Sequence, residues 1–494
     1  MGIRFRSLRL IALLAFLLTL AAQPLHAARA HPAREENPIV RENELPGTGS
    51  WQLTMPSRGF AIQGYASAVS VSPGHDISFS VSTKSPEFNL DVYRMGWYGG
   101  KGASLKLSAT SIAGHFYPTP PPAPKTGLID CGWPASITVY VPPAWVSGMY
   151  LVKITASSGF QGYIPFTVLD NRRSAYLFIH GVNTDEAYNV WGGKSLYQDT
   201  AYPGNAGFDH RALMVSFDRP FHQVYGAGQL FFWEYDMIRW LERRGYDVSY
   251  ATDVDVHRRL STLGRHKAVL IVGHDEYWSK SMRDHYQRAV RSGVNLGVFA
   301  GNTGYWSIRY LPQGRRADRI IVCYKYPSTF DPYVDTNPKR VTSQWRAPPL
   351  NRPESILLGA MWHGEESHLS PQAWVVTKPG SWIFRGTRLA HGGSVSGVVG
   401  YEYDQVVPKF PHPRRLVVLT NSPVIANDGS HDVSNSTIYV AKSGATVFNA
   451  GTIQWSWGLD PFAVPDQGTP APPAGSAPSH ALQIVTANIL RRIG

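Results

Sequence analysis

Through the first third of the chain, apolar and polar residues alternate with a period of two. Ile77-Ser78-Phe79-Ser80-Val81-Ser82 and Asn89-Leu90-Asp91-Val92-Tyr93-Arg94 each turn one apolar face toward a core, the pattern of half-buried strands. Thr138-Val139-Tyr140-Val141 and Tyr150-Leu151-Val152-Lys153-Ile154 continue it, separated by turn-formers at Pro142-Pro143 and Ser147-Gly148. No helical stretch interrupts them, so the spacing predicts an antiparallel, immunoglobulin-like β-sandwich over residues 45–170.

The pattern changes at Ser174. Ala175-Tyr176-Leu177-Phe178-Ile179 is an unbroken apolar run, as a strand buried on both faces requires. Leu230 to Arg244 has the period of one helix, and Arg243-Arg244-Gly245 supplies a basic last turn and a stop. Strands follow at Asp247–Ala251, Ala268–Val272 and Val294–Phe299, with a helix from Lys280 to Arg291 between the last two. This alternation predicts a parallel sheet with helices on both faces, so the fold class is α/β plus all-β. Leu357-Leu358-Gly359-Ala360-Met361 reads as a further buried strand, and short strands return at Val417–Leu419 and Ile438–Ala441. The α/β domain is placed at 171–465. A Pro/Ala/Gly linker after Asp466 leads to an amphipathic helix, Ala481 to Arg492, within 466–494.

The amino terminus sets the expected compartment. Arg4, Arg6 and Arg9 precede an uncharged apolar run from Ile11 to Ala22, and Ala28-Arg29-Ala30 offers small residues where a signal peptidase cuts. Residues 1–30 read as a secretory signal and 31–44 as a polar linker. The run falls short of the roughly 20 residues that span a bilayer, so a secreted, periplasmic or cell-envelope protein without a stable membrane span is expected. Losing Arg4, Arg6, Arg9 and Arg29 takes the formal charge from +12 to +8. With no Lys/Arg-rich block, nucleic acid is excluded as a partner. The two cysteines, Cys131 and Cys323, are too few for a disulfide scaffold and either stay free or form a single bridge.

Several signatures are absent: no G-x-S-x-G elbow, no P-loop and no dinucleotide fingerprint. His363 and His368 stand five apart, roughly 140° round a helix, so the zinc-protease pairing is excluded too. The strongest local signal is Gly273-His274-Asp275-Glu276-Tyr277-Trp278-Ser279, where a buried strand ends and a helix begins. Ligands bind at such carboxyl ends of strands in open α/β sheets. The alternative there is a helix cap from Asp275 and Ser279 with Trp278 in the core. The next strand ends at Gly301-Asn302-Thr303-Gly304, a second polar turn on the same sheet edge. Glu234 and Tyr235 interrupt the apolar helix, either for a site or for a core hydrogen bond. His363 and Glu365 project from a strand end or from a surface loop. Gly400-Tyr401-Glu402-Tyr403-Asp404 sets acids between aromatics, where desolvation raises a carboxyl pKa for acid/base work, unless an ion pair holds them.

Longer stretches carry a resemblance. Asn43 to Thr48, Asp91-Val92-Tyr93-Arg94-Met95-Gly96-Trp97-Tyr98-Gly99-Gly100, Val146 to Tyr150, Ala187-Tyr188-Asn189 with Trp191-Gly192-Gly193, Gly273 to Ser279, Gly301-Asn302-Thr303, Asn351 to Glu354 and Gln454 to Leu459 resemble the N,N-dimethylformamidase large (beta) subunit-like family. The resemblance implies a β-sandwich followed by an α/β domain like that of class I glutamine amidotransferases (flavodoxin-like), without their cysteine. It implies metal-assisted hydrolysis of an amide C–N bond at a mononuclear ferric iron held by two tyrosinates and a glutamate. On this chain those ligands correspond to Tyr277, Tyr235 with Tyr188 in reserve, and Glu365. His363, Glu402, His274, Glu276 and Asn302 correspond to the catalytic set. A small amide would be the substrate, and a homo-oligomer or a small partner subunit the assembly. The reading from another class is a non-catalytic envelope protein that binds glycan through Trp97, Tyr98 and Trp133.

Overall fold

The computed structural model describes residues 37–202, 204, 209–366, 371–462 and 478–494. The expected signal at 1–30, linker residues 31–36, His368 and the Pro/Ala/Gly linker after Asp466 lie outside the described residues. What is described is rich in β-structure, with several sheets and a few helices.

In the amino-terminal part, Ile62–Ala66, Asp76–Thr83 and Ile137–Tyr140 form one antiparallel sheet. Ser70–Val71, Gln161–Val168, Gly148–Ala156, Glu87–Met95 and Ala103–Ala113 form a second, five-stranded one. Ile77, Phe79 and Val81 from the first meet Leu90, Val92, Val152, Ile154 and Phe166 from the second in one buried core. These are the residues that alternate in the sequence, so the period-two pattern maps directly onto packing.

The second part is built on a seven-stranded sheet. Its order is Val248–Thr252, Tyr176–His180, Ala268–His274, Asn295–Gly301, Thr446–Asn449, Thr437–Val440 and Val417–Val418. The first five run parallel, and Thr437–Val440 adds antiparallel to Thr446–Asn449. Both faces are covered, which is why the strands read as unbroken apolar runs. Leu177, Ile179, Val269, Ile271 and Val298 pack against Met282, Tyr286 and Ala289 of the helix Lys280–Arg291. Phe178, Leu270, Val272 and Phe299 face the helices Tyr235–Arg243 and His480–Ile493.

Three local expectations are corrected. Leu230 to Arg244 is not one α-helix: Leu230–Glu234 forms a π-helical turn before the α-helix Tyr235–Arg243. Leu357 and Leu358 belong to a short helix, Ser355–Leu358, and only Met361–Glu365 is strand. Between the strand end at His274 and the helix at Lys280 lies a short strand, Tyr277–Ser279, which pairs in parallel with Trp306–Gln313. Cys131 and Cys323 are both free. Among the described residues, no helix is long and apolar enough to cross a membrane.

The two parts are joined by a buried ion pair. Arg94, inside the Asp91–Gly100 motif, grips Glu242 of the helix Tyr235–Arg243 with both guanidinium ends, at 2.8 and 2.9 Å. Tyr98 from the same motif is buried at 2% exposure, and Trp133 at 8%. Trp97 lies beneath the guanidinium groups of Arg239 and Arg243. Two of the three rings named for glycan stacking are therefore enclosed in the protein.

Candidate active site

The strand Ala268–His274 delivers His274 to the carboxyl edge of the central sheet. Gly273, at φ 71°, is required just before it, because a Cβ there would overlap the Cβ of Trp233. His274 Nε2 stands 2.9 Å from Glu402 Oε2 and 3.4 Å from Glu276 Oε2, with all three side chains buried. Glu402 begins the strand Glu402–Gln405, which pairs antiparallel with Met361–Glu365. Asn302 follows the strand Asn295–Gly301 and holds φ 48°, a left-handed conformation its own bonds support. Its backbone N–H donates to Asp404 Oδ1 and its Nδ2 to Glu402 Oε1, both at 2.8 Å. The two polar turns of the sheet edge thus converge on one histidine and two carboxylates.

Around Glu276 lies a group of phenols. Tyr188 donates to Glu276 Oε2 at 3.0 Å, and Tyr197 reaches both carboxylate oxygens at 2.7 and 2.8 Å. The Tyr188 and Tyr197 hydroxyls are 3.0 Å apart. Tyr277 sets its ring edge-on to Tyr197, and its buried hydroxyl lies near that of Tyr197 without a well-formed hydrogen bond. Lys325 completes the wall: its Nζ sits 3.0 Å from the Tyr197 ring centroid, 5.1 Å from that of Trp306 and 5.2 Å from that of Tyr277. Burial pulls this lysine down to about 7, against the pull of Glu276. Tyr401 closes the other side, 6.1 Å from His274 and 5.6 Å from Trp233 between ring centroids.

The electrostatics follow from burial and pairing. Burial raises Glu402 to about 7, while His274 pulls it the other way. Burial alone would lower His274, but Glu402 and Glu276 outweigh it and hold the imidazole at about 10. Burial works against Glu276 too, yet the bond to His274 and the charge on Lys325 keep it below the usual carboxylate value. Two carboxylates about one histidine are thereby pushed apart, the arrangement from which separate acid and base roles arise.

A second buried set lies beneath. His180 Nδ1 is 2.8 Å from Glu234 Oε2, whose other oxygen accepts from Gly181 N at 3.0 Å, and Asp185 is 3.8 Å from Nε2. Burial would lower His180, but Glu234, then Asp185 and Asp275, lift it to about 9. A histidine raised on folding stabilises the fold fully below its unfolded value and ceases to do so as pH rises through its folded value. The stability gap between wild type and Glu234→Gln should therefore be largest below pH 6.5 and shrink by roughly 3 kcal/mol by about pH 9. Urea midpoints across that range check it, and a gap that does not change with pH would mean His180 is not charged.

Of the residues expected from sequence, His274, Glu276, Tyr277, Asn302 and Glu402 lie together, and Tyr188 joins them. Tyr235, His363 and Glu365 lie apart. Tyr235 donates to the Gly102 carbonyl and packs on Trp51 and Phe462, against the amino-terminal sheets. His363 and Glu365 share one strand face, as their spacing requires, but that face is exposed. His363 pairs with Asp432 at 2.6 Å and Glu365 accepts from Asn427 at 3.1 Å, although the Glu365 charge still reaches Glu402 and Tyr401. Ser279 does cap the helix Lys280–Arg291, accepting from Met282 N, and Trp278 is core, so the corner serves both fold and site. Tyr197 and Lys325 carried no sequence signal.

The sequence profile of the N,N-dimethylformamidase beta subunit-like, C-terminal family matches residues 89–470. The chain belongs to that family. The N,N-dimethylformamidase beta subunits of Paracoccus aminophilus and of an Alcaligenes sp are each 21% identical to it over 396 residues, 66% of this chain and 52% of theirs. The chain thus spans about half the length of the curated relatives it matches. Among solved structures, a Paenibacillus cycloisomaltooligosaccharide glucanotransferase overlaps 26% of this chain and 18% of its own, with 14% identity and a TM-score of 0.15. The sulfur carrier protein SoxY of Chlorobium limicola f thiosulfatophilum overlaps 24% and 87%, with 13% identity and a TM-score of 0.14. Overlaps this slight carry no argument.

Proposed function

We propose that this chain is an exported amidohydrolase that cleaves an amide C–N bond. The observation that carries the proposal is His274 held between Glu402 and Glu276 at the carboxyl edge of the sheet, in a family named for an amidase subunit. Glu402, near neutrality, is suited to take a proton from the attacking water and return it to the departing nitrogen. His274 stabilises the carboxylate form through Oε2, while the Asn302 amide holds Oε1 and so fixes the orientation of the carboxylate. The buried surroundings keep bulk water from competing for these bonds. A small partner subunit, suggested by the relatives' designation as beta subunits, belongs to the same proposal.

The donor set fits a hard cation. Tyr188 and Tyr197 bring two phenols to the Glu276 carboxylate, and the Tyr277 hydroxyl is buried beside them without a well-formed hydrogen bond. Phenolate and carboxylate oxygens suit ferric iron. Tyr277, Tyr188 and Glu276 would hold it, with Tyr188 in place of Tyr235 as the second phenolate. The ion, when bound, would polarise the amide carbonyl and acidify water. The expected result is an iron-loaded protein with visible tyrosinate absorption that Tyr277→Phe loses. With iron removed from both proteins, the melting temperature should change by no more than a few degrees, since one hydroxyl is removed and the ring packing is kept. A Tyr277→Phe protein with full iron content and unchanged colour would end the metal reading.

The non-catalytic reading keeps one discriminating outcome. A protein that hydrolyses no member of an amide panel, with or without iron, but retains a glycan ligand would favour it. Because the relatives differ from this chain in length, dimethylformamide belongs in that panel as one substrate among several.

A further inference from the structure

A cleft of about 420 Å³ opens where the segment Ser57–Gly64 meets the segment Pro220–Gly226 and the π-helical turn. Its wall includes the rings of Phe60, Tyr163, Phe221, Tyr225 and Phe232. No lining side chain is Lys, Arg, Asp or Glu. Burial pushes His222 in the wall below its ordinary value, so its ring is neutral as well. Phe60 is 50% exposed, which leaves the cleft open to solvent.

Both walls are strained. Phe60 has φ of 59° on one side, and Val224 and Tyr225 have 46° and 53° on the other, while Gly59 and Gly226 beside them take positive φ without cost. A β-branched residue such as Val224 strongly disfavours this region, and such strain, about 1–3 kcal/mol per residue, gathers at ligand clamps. The cleft is also one residue away from the candidate active site at two points. Phe232 lines it while the next residue, Trp233, packs on Tyr401. Gln223 lines it while its Nε2 donates to the Tyr188 carbonyl at 2.8 Å, and the Tyr188 hydroxyl bonds Glu276. The π-helical turn, which supplies Phe232 to the cleft, Trp233 against Tyr401 and Glu234 to His180, is itself a form found mostly at functional positions.

We infer that this cleft receives an uncharged ring carried by the amide substrate, so that the substrate is a ring-bearing neutral amide. Rings stack on rings, and a wall without charge rejects an ionised group that would lose its water without gaining a partner. The inference rests on the hydrolase reading for the word substrate, but the binding step can be tested alone.

The probe is acetanilide, with protonated 4-aminomethylacetanilide as its charged counterpart, titrated by calorimetry into the full-length protein. Wild type should bind acetanilide, and the charged analogue at least about tenfold more weakly. Phe60→Gly, which removes a ring and suits the left-handed backbone, should weaken acetanilide about tenfold, the worth of one ring contact. Phe221→Ala serves as the second variant if the first does not fold. No binding of acetanilide at millimolar concentration overturns the inference, as does binding that neither variant changes or that favours the charged analogue. Binding lost in the variants but without turnover of any amide supports the cleft's ring preference and overturns the hydrolase reading instead.

Discussion

Glu402→Gln should lower kcat for a hydrolysed amide by about 10² to 10⁴, the usual worth of a positioned acid/base group. The substitution keeps the shape of the side chain and an oxygen for the Asn302 amide. What it removes is the anion 2.9 Å from His274 and the proton carrier with a pKa near 7. KM should change less than threefold if the residue acts mainly after binding, because equal loss in kcat and kcat/KM marks an interaction made only in the transition state. The His274 imidazole should lose its largest upward influence, which a shift of its ring-proton resonances would report. A variant of near wild-type kcat would remove Glu402 from the chemistry and leave it as an ion-pair partner.

Which parts of this were legible beforehand follows from the range of each interaction. Period two in Ile77–Ser82 and the unbroken runs at Ala175–Ile179 and Ala268–Val272 are local consequences of burial, so strands and sheets could be read directly. The turns at Gly273–Ser279 and Gly301–Gly304 could be read as a site because polar residues at strand ends stand out from apolar surroundings. The π-helical turn could not, since one extra residue per turn hardly alters the apolar pattern of Leu230 to Arg244. Leu357–Met361 misled for a related reason: a short apolar run does not distinguish strand from buried helix. Tyr197 and Lys325 depend wholly on tertiary placement. A lysine buried over a tyrosine ring reads, in sequence, like any surface lysine. Glu365 and the buried Glu366 differ by one position, and strand alternation sends them to opposite sides.

Glu242→Ala should be among the most damaging single changes to the fold, costing about 3–5 kcal/mol. The carboxylate accepts both ends of the Arg94 guanidinium, a hydrogen bond from Tyr250 at 2.8 Å and another from Asn43 at 2.8 Å. Both side chains of the ion pair are fully buried, so removing one leaves a cation without water or a direct counter-charge, its nearest remaining anion being Glu42 behind the Tyr98 hydroxyl. Arg94 cannot escape by deprotonation, because a guanidinium stays charged. Its remaining bonds, to the Ser147, Val146 and Met95 carbonyls and the Tyr98 hydroxyl, go to neutral oxygens and do not neutralise it. The reverse change, Arg94→Met, strands a carboxylate that can protonate, so it should cost less. The double variant Arg94→Met with Glu242→Leu should recover much of the loss, since neither charge of the pair is left stranded. Urea midpoints for wild type, Arg94→Met, Glu242→Leu and this double variant close the cycle and measure the coupling between the sites. A loss below about 1 kcal/mol for Glu242→Ala would show that water reaches Arg94. The Asp91–Gly100 motif would then owe its character to something other than joining the two parts of the chain.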